Sequence, residues 1–350
     1  MPRLRLVLAA GLTVAAVLTA AACGGGSDSS GGSAQQAEQP KELTIYSGRN
    51  ERLVGGVLAQ LEQAVGGKVT VRYGESAELA AQLLEEGERT EADLFFSQDA
   101  GALGALAHAG RLAPLPAATL DAVPPAYRAR DGKWVATSAR ARVLFYDPRQ
   151  VSDADLPKTL DDLTDPKWRG KIGYAPTNAS WQAFVTGVRV LRGEDGARQW
   201  LQAFAANNPV RFGNNNQILD AVNDGQIALG LANHYYWYQK VKEVGENAVT
   251  ARLHYVQGAD PLGLVNVAGV GILAGTDVPD MAQRAVDFLL SEQAQQYFAD
   301  NTAEYPVRAG ITSTVHRLPP LSSLQAPDID LSELASLQQT QAMLQETGLA

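Results

Sequence analysis

Two adjacent tyrosines, Tyr235 and Tyr236, are the side chains of this sequence best suited to bind a metal ion. They follow an apolar run, 227–232, that predicts a buried strand. Neighbouring side chains of a strand point to opposite faces, so only one phenol could pack inward there. At a strand-to-helix junction both can face one cleft, and a phenolate oxygen is a hard anionic ligand for a cation such as ferric iron. The alternative is a tyrosine-rich helix start that caps the sheet.

The order of predicted strands and helices indicates which elements position these phenols. Strands are predicted at 43–47, 68–73 and 93–97, each followed by a helix, and a second strand–helix series begins at 171–175. This alternation predicts an α/β fold with largely parallel strands wrapped by helices. Ligands of such sheets collect at the carboxyl ends of the strands.

Three further predicted strands, 134–137, 142–146 and 264–273, connect the two series. They predict two lobes joined by hinge strands, with a cleft between the lobes. The division that follows is a first lobe of 41–137 plus 264–315, a second lobe of 138–263, and a C-terminal tail and helix over 316–350.

The N-terminus has the layout of a secretory signal. Two arginines precede an apolar run that ends at Ala22, and the only cysteine of the chain, Cys23, follows it. The pattern predicts a signal peptide over 1–22 and resembles a bacterial lipobox, in which the cysteine is lipidated. Residues 24–39 are rich in Gly, Ser and Gln, so 23–40 is predicted to be a lipidated cysteine with a flexible tether. The alternative is an ordinary secretory signal with an incidental cysteine.

The composition restricts the possible partners. The chain has 350 residues and a net charge of −9, and it contains no basic run, which argues against a nucleic-acid partner. No G-x-S-x-G, H-E-x-x-H or P-loop motif is present, so we do not expect an enzyme. We expect a monomeric binding protein on the extracytoplasmic face of the cell membrane, attached through the lipid anchor only.

Seven short motifs occur in the order found in one known family. The set is 45–50 (IYSGRN), 92–96 (ADLFF), 138–143 (SARARV), 165–170 (DPKWRG), 221–225 (AVNDG), 233–237 (NHYYW) and 304–308 (EYPVR). From about Glu42 onward the chain resembles the bacterial ferric-iron-binding proteins of ABC importers, a branch of the type II periplasmic binding proteins. The resemblance implies two lobes, each with a mixed sheet wrapped by helices. It also implies capture of Fe³⁺ between the lobes and delivery to an ABC permease and its ATPase.

The resemblance also implies a set of site residues. The paired tyrosines would bind Fe³⁺ together with a synergistic anion, phosphate or carbonate, held at a helix N-terminus. The residues implied for the anion are Asn178, Ala179, Ser180, Asn215 and Asn233. Some relatives have a third tyrosine ligand where Ala179 stands, so the sequence favours the anion-dependent variety.

The first lobe departs from the family pattern. Relatives with a full ligand set have a histidine and a glutamate where this chain has Asn50 and Gln98. These two side chains remain candidates for the metal site, although both are neutral. Glu51 and Asp99, one residue further on, could substitute, and Arg49 could help to hold the anion. The departure leaves pre-chelated iron or a plain anion open as the cargo.

Other ligands of the same fold class remain as alternatives. A polyamine, thiamine, sulfate or a sugar would not need two adjacent phenols, and a secreted enzyme is a remote alternative. His234 should point away from its tyrosine neighbour and is not expected to be a ligand, while His108, His254 and His316 lack ligand spacing.

Overall fold

A computed structural model describes residues 41–350. The predicted signal peptide, the lipidation of Cys23 and the tether lie outside the described residues. Within 41–350, no helix is both long enough and apolar enough to cross a membrane.

The first sheet is built from the strand–helix series that the sequence predicts. Strand β1 pairs in parallel with β2 on one side and β3 on the other. The elements up to this point are β1 (Glu42–Ser47), α1 (Glu51–Leu58), α2 (Leu61–Val65), β2 (Lys68–Tyr73), α3 (Ser76–Glu86), β3 (Leu94–Ser97), α4 (Ala100–His108) and α5 (Ala117–Asp121). The predicted strands are confirmed to within a residue or two, because β1 and β3 are largely apolar short runs and β2 alternates polar and apolar residues.

A single long strand, β4 (Val135–Tyr146), replaces the two strands predicted at 134–137 and 142–146. The residues between them, Ser138–Ala141, are small or charged and suggest a break, yet all are buried. They continue the strand because β9 (Val265–Ile272) pairs with β4 as far as Ala141. From Arg142 onward, β4 pairs instead with strands of the second sheet. One strand therefore runs through both sheets.

The second sheet contains the strand that leads into the tyrosine pair. Strand β7 is antiparallel to β4 and parallel to β5, which in turn is parallel to β6. The remaining elements are β5 (Ile172–Tyr174), α6 (Ala179–Ala206), β6 (Val210–Arg211), α7 (Asn215–Asn223), β7 (Leu229–Asn233), α8 (Tyr235–Val244), β8 (Arg252–His254), α9 (Pro279–Leu289), α10 (Glu292–Tyr297), β10 (Tyr305–Pro306) and α11 (Leu337–Glu346). The sheets are mixed, because β9 runs antiparallel to β3 and β4, and β7 is antiparallel to β4 but parallel to β5.

Two helices predicted at 181–191 and 196–206 form one run, α6, with a kink at Gly193. Gly193 has φ of 72°, a left-handed conformation that glycine adopts without the Cβ clash of other residues. On the buried side of α6, Trp200 stacks on Phe204 with ring centroids 5.1 Å apart, and both lie against Trp181.

The C-terminal segment packs against helices of both sheets. A short 3₁₀ helix, Leu331–Ala335, and α11 replace the single helix predicted over 331–346. Ser332 Oγ accepts a hydrogen bond of 3.2 Å from Trp134 on the first-sheet side. Thr340 Oγ1 accepts one of 2.8 Å from Arg189, which lies on α6.

Candidate functional site

A cleft of about 1160 Å³ lies where strand ends of the two sheets face each other. Residues 48–53, 73–75 and Gln98 line it from the first sheet. The second-sheet wall includes Asn178, Leu219 and residues 235–236. The cleft thus forms at the carboxyl ends of β1, β2, β3 and β7, as expected for open α/β sheets.

Tyr235 and Tyr236 begin α8, directly after β7, and both line the cleft. Their rings stack with 4.3 Å between centroids and 29° between planes. Burial raises the pKa of Tyr235 well above its usual value, and Tyr236 adds to this effect while Arg140 opposes it. Tyr235 is therefore a neutral phenol at ordinary pH, and its ionisation requires the charge of a bound cation.

Arg140 and Arg142 lie on β4 behind the tyrosines, and both are buried. Burial lowers the pKa of Arg142 to about 9, an effect that Tyr236 and Tyr235 oppose. Its Nε and Nη2 atoms have no hydrogen-bond partner among the residues that the structure describes. Two buried guanidinium groups favour negative charge in front of them, on a phenolate or on an anion.

In the sequence, these arginines were noted only as part of the 138–143 motif, and no site role was predicted for them. A usable signal was present: Arg140 and Arg142 are spaced by two within a run of small and apolar residues. On a strand this spacing places both side chains on one face. A pair of charged side chains on one face of a buried strand indicates a polar site rather than a solvated surface.

Three of the residues predicted to hold an anion form one hydrogen-bonded cluster. Asn178 caps α6, and its Oδ1 accepts from Ser180 N at 2.9 Å and from Ser180 Oγ at 2.7 Å. Asn215 Nδ2 donates to Asn178 Oδ1 at 3.2 Å and to Ser180 Oγ at 3.0 Å. Arg142 Nη1 lies 3.5 Å from the same Ser180 hydroxyl.

The other predicted anion residues are placed differently. Ala179 is the exposed first residue of α6. Asn233 is buried at the end of β7, in register with Arg142. Of the six predicted anion residues, only Asn178 and Arg49 line the cleft, so the cluster stands beside the cleft rather than entirely in its wall.

Arg49 lines the cleft, but its guanidinium faces Glu304. Arg49 Nη2 lies 2.8 Å from Glu304 Oε2, and both side chains are fully buried. Burial opposes the ionisation of Glu304, yet Arg49 and Arg140 outweigh it and hold the pKa of Glu304 below its usual value. The 304–308 motif thus contributes the negative partner of two buried arginines, which the sequence did not indicate.

The predicted first-lobe candidates are both at the cleft. Asn50 caps α1, and its Oδ1 accepts a 3.0 Å hydrogen bond from Arg52 N. Gln98 lines the cleft, and its Oε1 is buried with no partner among the described residues. The two possible substitutes lie in different places. Glu51 is exposed in the cleft. The Asp99 carboxylate caps the start of α4, where it accepts a hydrogen bond of 3.0 Å from Ala102 N.

His234 does not face the cleft. Its Nδ1 accepts from Ala141 N at 3.2 Å, so its proton lies on Nε2, which donates to Ala303 O at 2.8 Å. Burial lowers the pKa of His234 to about 4, which keeps the ring neutral. Both ring nitrogens of His234 are thus bonded to the backbone, away from the cleft. Among residues 41–350, no three His, Cys, Asp or Glu side chains are grouped so as to hold a metal ion.

The chain is similar to known proteins over most of its length. Residues 90–332 match the family described as bacterial extracellular solute-binding protein. The chain is 36% identical to the Fe(3+)-binding periplasmic protein of Serratia marcescens, over 90% of this chain and 93% of that one.

Two solved structures share the fold. Iron-bound HitA from Pseudomonas aeruginosa superposes with a TM-score of 0.80 at 35% identity, over 89% of this chain and 100% of that one. A Trichodesmium protein (IdiA, FutA) in complex with iron and citrate gives a TM-score of 0.76 at 26% identity, again over 89% and 100%.

The fold and the interlobe cleft define a type II periplasmic binding protein, which confirms the predicted fold class. The chain belongs to the bacterial extracellular solute-binding proteins, in the branch that contains the periplasmic ferric-iron-binding proteins. This is a family of binding proteins rather than of enzymes, and the predicted resemblance is confirmed.

Proposed function

We propose that this protein captures ferric iron in the cleft, with Tyr235 and Tyr236 as phenolate ligands. The observation that carries the proposal is the stacked tyrosine pair facing the cleft, with two buried arginines behind it. The Fe³⁺ charge supplies the driving force for ionisation that the buried Tyr235 phenol otherwise lacks. Arg140 and Arg142 add to it, because a nearby positive charge favours a phenolate.

A synergistic anion, phosphate or carbonate, completes the proposed site. Two phenolates leave one positive charge on Fe³⁺ and leave coordination positions open. An anion with several oxygens would neutralise that charge and fill those positions. We assign it to the N-terminus of α6, with Asn178, Ala179 and Ser180, where the partial positive charge of the helix end favours an anion. Asn215 and Asn233 are assigned to the same anion site, and Arg49 contributes positive charge to the cleft wall.

Citrate or a similar chelator is a second candidate for the anion. The first-sheet wall presents the neutral Asn50 and Gln98 at the two expected ligand positions, so more ligand atoms must come from elsewhere. One structural relative is described with iron and citrate, and the cleft of about 1160 Å³ has room for such an anion.

Capture is followed by delivery rather than by catalysis. The two lobes, 41–137 with 264–315 and 138–263, are proposed to close on the cargo about β4 and β9. Closure is favoured because the cargo contacts both walls only in the closed state. The protein then docks on an ABC permease with its ATPase, as a monomer anchored through lipidated Cys23 on the extracytoplasmic face of the membrane.

Addition of ferric citrate and phosphate to the purified, iron-free protein tests this function. We expect a visible phenolate-to-iron charge-transfer band and a higher melting temperature, because a ligand that binds the folded state stabilises it. Analysis of metal and anion in the loaded protein identifies the synergistic anion. Spermidine, thiamine and sulfate serve as competing ligands. A colourless protein whose melting temperature rises only with one of these would overturn the proposal.

A further inference from the structure

The first-sheet wall of the cleft carries one more phenol, Tyr73. It is the last residue of β2, beside Ser47 of β1 in the parallel register. It lines the same cleft as Tyr235 and Tyr236, from the opposite wall. Its ring packs partly against the hydrophobic core, and the side chain is half-buried. A phenol anchored in this way at a strand end is well placed to contact a ligand between the sheets.

A carboxylate lies close to this phenol. Glu51, the first residue of α1, is exposed in the cleft. Glu51 and Tyr73 line the same wall of the cleft. Burial raises the pKa of Tyr73, and the negative charge of Glu51 raises it further. A carboxylate and a phenolate repel each other unless a cation binds between them. Together they are hard oxygen ligands of the kind that Fe³⁺ prefers.

The neighbouring side chains are less suitable as anionic ligands. Asn50 and Gln98 are neutral, and the Asn50 side-chain oxygen is already hydrogen-bonded to the start of α1. Asp99 caps α4 and is absent from the cleft wall. Among the cleft-lining residues of the first sheet, the acidic oxygens that remain are those of Glu51, Tyr73 and Glu75. Glu51 stands at the start of α1, next to Asn50, on the same cleft wall as Tyr73.

We propose that Tyr73 is a third phenolate ligand of the ferric cargo and that Glu51 is its carboxylate partner on the first-sheet wall. This inference rests on the proposed function, because it concerns the same cargo. On binding, the Tyr73 phenol releases its proton to solvent and its oxygen bonds to the metal. The pair thereby replaces the histidine and glutamate that Asn50 and Gln98 do not supply, and it links iron binding to the closing of the cleft.

Tyr73→Phe tests the proposal in the full protein loaded with ferric citrate and phosphate. The variant keeps the ring and its core packing, so its melting temperature without iron should match that of the parent. We expect the charge-transfer absorbance per bound iron to fall and the band to shift. The iron affinity should drop about tenfold, which corresponds to about 1.4 kcal/mol. Glu51→Gln should lower the affinity without removing a phenolate, so its band keeps most of its intensity.

Tyr46→Phe is the matched control. Tyr46 lies on the adjacent strand β1, outside the cleft, and its hydroxyl contacts Arg72 and Glu86. Its substitution should leave both band and affinity unchanged.

Three outcomes separate this inference from the function on which it rests. A parent-like band and affinity in Tyr73→Phe, with the band lost in Tyr235→Phe, overturns the role of Tyr73 and leaves the proposed function intact. A weaker affinity with an unchanged band shows that Tyr73 hydrogen-bonds the anion and is not a metal ligand. A parent protein that forms no band with iron overturns both.

Discussion

Asn215 donates a hydrogen bond from Nδ2 to Asn178 Oδ1, with 3.2 Å between the two atoms. Asn178 caps α6 and Asn215 is the first residue of α7, so the N-termini of two helices from separate strand–helix units meet beside the cleft. Helix N-termini carry partial positive charge and free backbone amides. The contact explains how two asparagines far apart in the chain can serve one proposed anion site.

Replacement of Asn178 by alanine should weaken ferric binding about tenfold at low phosphate, and less when phosphate is abundant. The side chain caps α6, so the change also costs about 1 kcal/mol of folding stability. Asn214→Ala is the matched control, because Asn214 caps α7 in the same way, through Gln217 N, and lies outside the cleft wall. Iron titrations at two phosphate concentrations compare the variants. Equal losses of affinity in both would place the anion elsewhere.

Tyr235→Phe and Tyr236→Phe should each lower ferric affinity by about a hundredfold or more, which corresponds to about 2.8 kcal/mol. Each variant removes one phenolate oxygen and retains the stacked ring. Competition with a chelator measures the affinity, and the visible spectrum reports the phenolates that remain. Tyr238→Phe is a suitable control, since the Tyr238 hydroxyl donates to Arg317 O rather than facing the cleft. Normal iron binding in both tyrosine variants would show that the metal site is wrongly placed.

The buried, neutral His234 predicts a loss of stability in acid. Burial lowers its pKa to about 4 in the folded protein, from an ordinary value of 6.5. Between these values the unfolded chain binds more protons, so the free energy of unfolding falls as the pH drops from 6.5 to 4. The full contribution is about 3 kcal/mol. Urea unfolding across this pH range measures it.

His234→Asn separates this contribution from those of other groups, such as His254 and His316, whose pKa values burial also lowers. The variant should be less stable at pH 7, because hydrogen bonds are lost, but its stability should fall less steeply in acid. His108→Asn is the control, because His108 is exposed at the end of α4. An identical acid slope in His234→Asn and the parent would contradict the assignment.

Gly104→Ala should destabilise the protein by about 1–3 kcal/mol, in the range expected for overpacking. A Cβ at Gly104 would overlap the backbone carbonyl of Ser332, which belongs to the C-terminal segment packed on α4. At Gly55, also inside a helix, the nearest atom to an added Cβ is 3.6 Å away. Gly55→Ala should therefore stabilise by about 0.5–1 kcal/mol. Thermal unfolding of both variants provides the check. Equal effects on stability would show that the C-terminal segment shifts to accommodate the added methyl group, which would contradict the prediction.

Local patterns in the sequence were sufficient for most elements and for the tyrosine pair. Short, largely apolar runs predicted β1 and β3 closely, and the alternation of polar and apolar residues in KVTVRY predicted β2. The change from an apolar run to Tyr235-Tyr236 marked the junction of β7 and α8. The ordered motifs then indicated the family, which the comparisons confirm. These features depend on residues that are close together in the chain, so they can be predicted from the sequence alone.

Tertiary structure decided which distant residues meet. Ser138–Ala141 suggested a break, but pairing with β9 keeps β4 continuous and buries Arg140 beside the tyrosines. Glu304 could be matched to Arg49 only once the chain had folded. Tyr73 and Tyr235 come to share one cleft because the order of strands, not their spacing in the sequence, decides which strand ends face each other. The sequence by itself located the tyrosine pair and predicted its chemistry, because both depend on adjacent residues. The residues that surround the pair were decided by the order of the strands and by burial in the folded protein.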